Sequence, residues 1–217
     1  MTRYRAAIFD LDGVLVDSAR AHFLAWRRVA GELGIAFTAH DNEALKGVDR
    51  MGSLDLILRL GGVTLPLAER EAIAARKNGY YLDAVATMTP ADLLPGAQAL
   101  VTGARAAGLG CALASASRNA PLVLARVGLA DAFDFIADPG QSRPKPAPDL
   151  FLAGAWALAV APRDCLGFED AAAGVDAIRA AGMTAIGIGD PLLLAAAHRV
   201  FPTTAAVDLP ALLAAQV

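Results

Sequence analysis

Cysteine is scarce in this chain of 217 residues, which contains only Cys111 and Cys165. Two cysteines are too few for the disulfide framework of a small secreted domain, and they lack the spacing of a metal site. Both lie in apolar runs, which is typical of buried thiols that stay reduced. The cysteine content therefore predicts a protein of a reducing compartment.

Long uncharged runs are also missing. The longest stretches, such as residues 150–162, are shorter than the roughly 18 residues that a membrane helix needs. The first residues reach acidic side chains too early for a secretory signal. With 19% charged residues and a net charge of −3, the chain has no global basic field for nucleic acid. We expect a soluble, cytoplasmic protein without membrane or nucleic-acid partners.

The second half of the chain alternates between short apolar runs and helical patterns. Strands are predicted at residues 5–9, 109–115, 133–137, 165–168 and 184–188, with a short one near 205. Helices are predicted at residues 96–107 and 171–181, from 119, from 149 and near 192. This alternation predicts an α/β fold with a doubly wound, Rossmann-like parallel sheet.

The segment between the first strand and Pro95 has a different pattern. From about Ser18 to Tyr81 it consists of amphipathic helical patterns punctuated by glycine and proline, with no strand-like run. We expect an inserted α-helical cap domain over residues 18–85. Residues 1–17 and 86–217 would then form the α/β core domain.

Two aspartates follow the first predicted strand. Asp10 and Asp12 are two residues apart in extended chain, so both side chains can face one reacting centre while Leu11 points into the core. Gly13 lets the backbone turn beside them, and Asp17 with Ser18 offers an N-cap to the next helix. Two carboxylates at a strand end favour phosphoryl or metal chemistry over a solvated loop.

Polar side chains also follow the later strands. Ser115 precedes a helix N-terminus, where hydroxyls and the helix dipole bind phosphate, although Ser117 or Asn119 could simply cap that helix. Prolines flank Lys145, which indicates a positioned cation rather than a surface lysine. Glu169 and Asp170 offer carboxylate oxygens for Mg²⁺ near Asp10, or alternatively favourable charge at a helix start.

These segments, in this order, resemble the haloacid dehalogenase superfamily of aspartyl-phosphate enzymes over nearly the whole chain. Within the superfamily the cap is similar to that of sugar phosphomutases, through HFLAW at residues 22–26, LKGVDR at 45–50 and ARKN at 75–78. Arg118 and Ala171 depart from the pattern, where lysine and serine are expected. Arginine changes the hydrogen-bond geometry, and alanine loses a hydroxyl near the metal site.

The resemblance implies a role for each matching residue. Asp10 is the expected nucleophile, and Asp12 the expected general acid and base. The expected metal is Mg²⁺, held by Asp10, Asp12 and Asp170 with Glu169. The expected binding residues for the transferring phosphoryl group are Ser115, Ala116 and Lys145. Those for the rest of the substrate are His22, Trp26, Lys46, Gly47, Val48, Arg50, Ser53, Lys77, Ser117, Arg118 and Asn119. Without the resemblance, His22 and Trp26 would be read as structural residues of the cap.

The resemblance also implies a reaction. The expected enzyme is a monomeric isomerase that interconverts β-glucose 1-phosphate and glucose 6-phosphate through phosphorylated Asp10 and β-glucose 1,6-bisphosphate. Two alternatives stay open. One is a sugar-phosphate phosphatase on the same scaffold, in which water replaces the sugar. The other is a phosphosugar sensor without activity, although a binding protein needs neither a nucleophile nor an acid.

Overall fold

A parallel sheet is the centre of the molecule. The computed structural model describes residues 4–45 and 47–214, and six strands lie within them. They are β1 (Ala6–Phe9), β2 (Gly110–Leu113), β3 (Phe135–Ile136), β4 (Cys165–Glu169), β5 (Thr184–Ile188) and β6 (Arg199–Phe201). All neighbouring strands are parallel, in the order β3-β2-β1-β4-β5-β6. The α/β fold with a parallel sheet is confirmed.

Four helices lie between β1 and the rest of the sheet in the chain. They are α1 (Ala19–Glu32), α2 (Ala39–Glu43), α3 (Arg50–Leu60) and α4 (Leu67–Ala86). Their apolar faces form a hydrophobic cluster of their own, which includes Trp26, Leu54 and Ile73. A separate cluster indicates that these helices, called the cap below, are packed mainly against one another.

The remaining helices cover both faces of the sheet. They are α5 (Ala97–Ala106), α6 (Ala120–Arg126), α7 (Asp149–Ala157), α8 (Ala172–Ala180) and α9 (Leu209–Ala214). Because successive side chains of a strand point to opposite faces, Ala7 and Phe9 of β1 pack with α5, α6 and α9. Ala6 and Ile8 pack with α7 and α8 on the other face. The sheet, these helices and their loops are called the core below.

Two predicted elements near the C-terminus are wrong. Residues 191–196, predicted as a helix near Leu192, form consecutive turns in which the side chain of Asp190 accepts a hydrogen bond from the Leu192 amide. The last strand lies at Arg199–Phe201, earlier than predicted, and residues Thr204–Ala206 form a 3-10 turn. Pairing with β5 decides the strand position, because residues 186–188 offer their free edge to residues 199–201.

The strand order locates a crevice. The chain leaves β1 and then fills the sheet on both sides of it, with β2 on one side and β4 on the other. In open α/β sheets ligands bind at such a switch point, beyond the carboxyl ends of the strands. Asp10 follows β1 directly. None of the described helices has the length and apolar character that crossing a membrane requires.

Candidate active site

Asp10 is held at the end of β1 by backbone and side-chain contacts. Its amide donates to the carbonyl of Phe168 in β4 at 3.0 Å. The Nζ atom of Lys145 donates to Asp10 Oδ1 at 2.6 Å and to Glu169 Oε2 at 2.7 Å. All three side chains are buried. A single ammonium group thus bridges two carboxylates from adjacent strands, as expected for a positioned cation.

The charges of this buried cluster are strongly coupled. Burial opposes the charge on Lys145, but Asp10 and Glu169 outweigh it, so the pKa of the Lys145 ammonium is raised. Burial raises the pKa of Asp10 to about 8, against the lowering effect of Lys145 and with further increases from Glu169 and Asp12. Another positive charge beside Asp10 would favour its carboxylate form.

Two glycines leave the space that the acidic side chains occupy. A Cβ atom on Gly174 would lie 2.0 Å from Glu169 Oε2, and one on Gly13 would lie 2.1 Å from Asp170 Oδ2. Gly13 also has a φ of 81°, which side chains rarely adopt. Glu169 Oε1 accepts hydrogen bonds from the amides of Asp170 and Ala171, both at 3.1 Å. These contacts orient Glu169 and the start of α8.

The acidic cluster fits a divalent metal ion. One carboxylate oxygen each from Asp10, Glu169 and Asp170 lies within 4.8 Å of the others. Hard oxygen ligands of this kind suit Mg²⁺ or a similar cation. With all three carboxyl groups ionised, the single ammonium of Lys145 neutralises only one of them, and a divalent cation would offset the remaining negative charge. Ala171 is buried beside the cluster and contributes its backbone amide, although its methyl group lacks the hydroxyl expected there.

Asp12 is oriented by residues at the start of α1. Ser18 Oγ donates to Asp12 Oδ1, and His22 Nε2 lies 3.9 Å from Asp12 Oδ2. Ser18 occupies the N-cap position but makes no capping hydrogen bond with its side chain. The predicted N-capping hydrogen bond of Ser18 is therefore wrong, because the Ser18 hydroxyl binds Asp12 instead.

His22 connects Asp12 to the cap. Its Nδ1 atom lies 2.9 Å from Nζ of Lys77, whose ammonium also lies 4.7 Å from the centre of the Trp26 ring. Burial lowers the pKa of His22 to about 4, although Asp12 opposes this effect. Burial and Arg50 lower the pKa of Lys77 to about 7. His22 is therefore neutral at neutral pH, and its contact with Asp12 is not an ion pair.

The loop after β2 provides hydroxyl and amide groups. Ser115 is buried, and its Oγ atom accepts a hydrogen bond from the Ser117 amide at 3.1 Å. Ser117 Oγ accepts from the Asn119 amide at 3.3 Å. Asn119 is the N-cap of α6, but its side chain makes no capping bond and donates to Asn78 of the cap at 2.8 Å. The Asn119 side chain thus faces the cap.

The cap approaches the core closely at the 47–53 segment. A Cβ atom on Gly47, at φ 71°, would touch the Ala171 side chain at 3.4 Å. Ser53 is buried, and its Oγ atom donates to the Val48 carbonyl at 3.4 Å. Arg50 Nη2 donates to Asn78 Oδ1 at 2.7 Å. These contacts put the predicted cap residues opposite the end of β1.

A cavity of about 540 Å³ lies between the cap and the core. The predicted residues that line it are Asp10, Asp12, His22, Trp26, Gly47, Val48, Arg50, Ser53, Lys77, Ala116, Ser117, Arg118, Asn119 and Asp170. Ser115, Lys145 and Glu169 are buried beneath it. Lys46, which was also predicted, lies outside the described residues. The volume suits a small ligand such as a sugar phosphate.

Four residues for which the sequence predicted no role in binding or catalysis contribute to this site. Ser18 orients Asp12, Gly174 makes room for Glu169, and Asn78 joins Arg50 to Asn119. Gly13 was expected only to let the backbone turn, yet it also makes room for Asp170. The ARKN segment contains Asn78, so a signal for that residue was present. For Gly174 no local pattern distinguishes it from an ordinary helix glycine.

Comparisons with known proteins agree with this geometry. A β-phosphoglucomutase of Bacillus subtilis is 45% identical over 188 residues, covering 85% of this chain and 83% of that protein. A fructose-1-phosphate phosphatase of Escherichia coli is 34% identical over 190 residues, covering 86% and 97%. The crystal structure of a β-phosphoglucomutase from Clostridium difficile superimposes with a TM-score of 0.94 at 40% identity, covering 96% and 95% of the two chains.

The family itself follows from a match along most of the chain. The family model for haloacid dehalogenase-like hydrolases matches residues 4–182, which include the strand end at Asp10 and the metal-binding candidates. The chain belongs to the haloacid dehalogenase-like hydrolase family.

Proposed function

We propose that this protein is a β-phosphoglucomutase, which interconverts β-glucose 1-phosphate and glucose 6-phosphate. The observation that carries the proposal is that one cavity has cationic and hydrogen-bonding groups in two places. Beneath the cavity, Lys145 contacts Asp10 and Ser115 is buried after β2, the strand that pairs with β1, while Arg50, Arg118 and Asn119 line another part of the wall. A bisphosphate intermediate requires both. The 45% identity to the B. subtilis enzyme supports the same assignment.

Asp10 is the proposed nucleophile. Its carboxylate oxygen attacks the phosphorus atom of the bisphosphate, a bond forms between them, and the bond from phosphorus to the sugar oxygen breaks. The protonated carboxyl of Asp12 gives its proton to that oxygen. In the second half reaction the Asp12 carboxylate takes a proton from the C6 hydroxyl of a β-glucose 1-phosphate molecule, whose oxygen attacks the phosphorus atom of phosphoaspartate. The bond from phosphorus to Asp10 breaks, and the bisphosphate forms again. The hydroxyl of Ser18 keeps Asp12 in place for both transfers.

The phosphoryl group carries negative charge on its three equatorial oxygens during transfer. Lys145 and Ser115 are proposed to offset that charge at fixed positions, with little reorganisation during the reaction. The proposed cofactor is Mg²⁺, held by Asp10 and Asp170 with the Asp12 backbone carbonyl and with Glu169 nearby. When bound, it supplies further positive charge to the same oxygens. Ala116 is proposed to contribute its backbone amide.

Exclusion of water separates a mutase from a phosphatase. The cap covers the end of β1, where a Cβ atom on Gly47 would already touch the Ala171 side chain, and a closed cap protects phosphoaspartate between the half reactions. His22, Trp26, Lys46, Gly47, Val48, Ser53 and Lys77 are proposed to bind or order the sugar. Ser117 is proposed to bind the phosphate that is not transferred, with Arg50, Arg118 and Asn119.

A phosphatase is the second candidate. It is favoured by the 34% identity to the E. coli fructose-1-phosphate phosphatase, which shows that a relative of this chain acts on a sugar phosphate by hydrolysis. In that reaction water takes the place of the sugar hydroxyl, and Asp12 activates it. The same residues would then serve a different acceptor.

Phosphorus NMR distinguishes the two candidates. The protein is incubated with Mg²⁺, a trace of glucose 1,6-bisphosphate and either β- or α-glucose 1-phosphate. Glucose 6-phosphate from the β anomer alone supports the mutase. Inorganic phosphate as the main product would establish the phosphatase instead. Asp10→Asn is the control, since neither product should form without the nucleophile.

Four further expectations remain proposals. The chain is proposed to divide into a core domain of residues 1–17 and 86–217 and a cap domain of residues 18–85. The protein is proposed to be cytoplasmic and to act as a monomer. Its proposed partners are sugar phosphates.

A further inference from the structure

Asn78 joins the cap to the core through one oxygen atom. Its Oδ1 atom accepts a hydrogen bond from Arg50 Nη2 at 2.7 Å and another from Asn119 Nδ2 at 2.8 Å. Arg50 begins α3 of the cap, Asn119 precedes α6 of the core, and Asn78 belongs to α4. A carbonyl oxygen has two lone pairs. Both are used here, one for each side of the cavity.

Positive charges surround this contact. Burial lowers the pKa of Arg50, and the positive charge of Arg118 in the core lowers it further. Arg50 of the cap and Arg118 of the core thus both line the cavity with like charge. Within residues 4–45 and 47–214, no hydrogen-bonding or ion-pairing partner of Arg118 is found. Without an anion the two charges repel, and the Asn78 oxygen offsets part of that repulsion.

A neutral acceptor has a particular advantage at this position. A carboxylate would also join the two donors, but its charge would repel a phosphate and neutralise the guanidinium groups. An amide oxygen holds Arg50 and Asn119 in place and leaves the positive charge available to an anion. The donors are therefore arranged before the ligand arrives, which reduces the ordering cost of binding.

We propose that Asn78 is a positioning residue that holds the cap against the core and pre-assembles the subsite for the phosphate that is not transferred. The proposal rests on the proposed function, because it assumes a ligand with a phosphate at this end. By favouring the closed form, Asn78 raises the fraction of molecules ready to bind. It also increases the preference for sugar phosphates over phosphoryl donors that lack a second binding group.

Three variants of the full-length protein test the proposal in the presence of Mg²⁺. Asn78→Ala removes the acceptor, and Asn78→Asp keeps it but adds a negative charge. Gly79→Ala is the matched control, since it changes the next residue of α4 where an added Cβ meets no atom within 4 Å. Isothermal titration with glucose 6-phosphate, without a phosphoryl donor, measures binding. Small-angle scattering without ligand measures how far the cap is closed.

The two substitutions should separate closure from charge. Asn78→Ala should weaken glucose 6-phosphate binding by about tenfold, as the loss of a hydrogen bond to a charged group predicts, and should increase the radius of gyration. Asn78→Asp should weaken binding by at least as much while the radius stays that of the wild type. In turnover assays of Asn78→Ala, KM should rise by a larger factor than kcat falls.

Other outcomes would contradict either the role of Asn78 or the proposed function, and the two can be told apart. If Asn78→Ala binds glucose 6-phosphate within twofold of the wild type and scatters identically, Asn78 is not a positioning residue. If Asn78→Asp binds more tightly than the wild type, the argument for a neutral acceptor is wrong. If the wild type itself does not bind glucose 6-phosphate, the proposed function fails. The scattering comparison still decides whether Asn78 holds the cap closed.

Discussion

Gly174→Ala is a small substitution with a large expected effect. In most helices this change is favourable, by about 1 kcal/mol, since alanine is the better helix former. At position 174, however, the new Cβ would lie 2.0 Å from Glu169 Oε2 and 2.1 Å from its Cδ atom. The Glu169 carboxylate must therefore move. Its displacement is costly, because its oxygens are bound by Lys145 and by the amides of Asp170 and Ala171.

The magnitude follows from these contacts. Overpacking in a buried position costs about 1–3 kcal/mol, and a buried hydrogen bond to a charged group contributes about 1.5–3 kcal/mol. The cost of losing one such bond, together with the steric cost, is larger than the free energy gained from the better helix propensity of alanine. We expect the free energy of unfolding to fall by about 2 kcal/mol or more. The apparent affinity for Mg²⁺ should also fall, since Asp170 follows Glu169 directly.

Urea denaturation and the Mg²⁺ dependence of phosphoenzyme formation measure the two effects. Gly79→Ala, in an open position on α4, should be as stable as the wild type or more stable. A double-mutant cycle isolates the cause, because Gly174→Ala should no longer destabilise a protein that already carries Glu169→Ala. A Gly174→Ala variant with wild-type stability and Mg²⁺ dependence would refute the reasoning.

Two further predictions concern the buried lysines. Lys145→Met should lower the free energy of unfolding by about 3–5 kcal/mol, because Asp10 and Glu169 lose their shared cation. In urea titrations, added Mg²⁺ should increase the stability of this variant more than that of the wild type. Equal increases would contradict the ion-pair argument. Lys77→Met should raise the free energy of unfolding, and more so at about pH 6 than at about pH 9, while weakening sugar-phosphate binding. The sign follows because the folded-state pKa of Lys77 is lowered to about 7, so the penalty for burying its charge is complete below that pH and decreases as the pH rises towards the unfolded pKa. An equal gain at both pH values would argue against a depressed pKa.

Much of the fold was predictable because local patterns determine it. The run at residues 184–188 has no charged side chain, is apolar after Thr184, and forms a buried strand with those bounds. The turns at residues 191–196 were not predictable in this way. Their leucines and alanines are good helix formers, but Asp190 and Pro191 begin a turn, and only Leu194 of the three leucines is buried. The order of the strands also depends on tertiary packing.

Some residues of the candidate site could be predicted from local sequence features, and others could not. Asp10 and Lys145 were predictable, since a carboxylate after a buried strand and a lysine between prolines are local features. Their contact at 2.6 Å joins residues that are 135 positions apart. Ser18 shows the limit of local reasoning, because the pattern predicted an N-cap and the folded chain directs the hydroxyl to Asp12.

Hydrophobic periodicity and turn residues act over a few neighbouring positions, so the parallel α/β core, the helical segment after β1 and the residue types at the strand ends could be inferred without a structure. The space that Gly174 leaves for Glu169 and the contacts of Asn78 with Arg50 and Asn119 become visible only in the folded chain. Such contacts depend on how separate elements pack in three dimensions, and local sequence patterns do not predict them. Asn78 and Gly174 are therefore the residues at which the proposals for this protein are most directly tested.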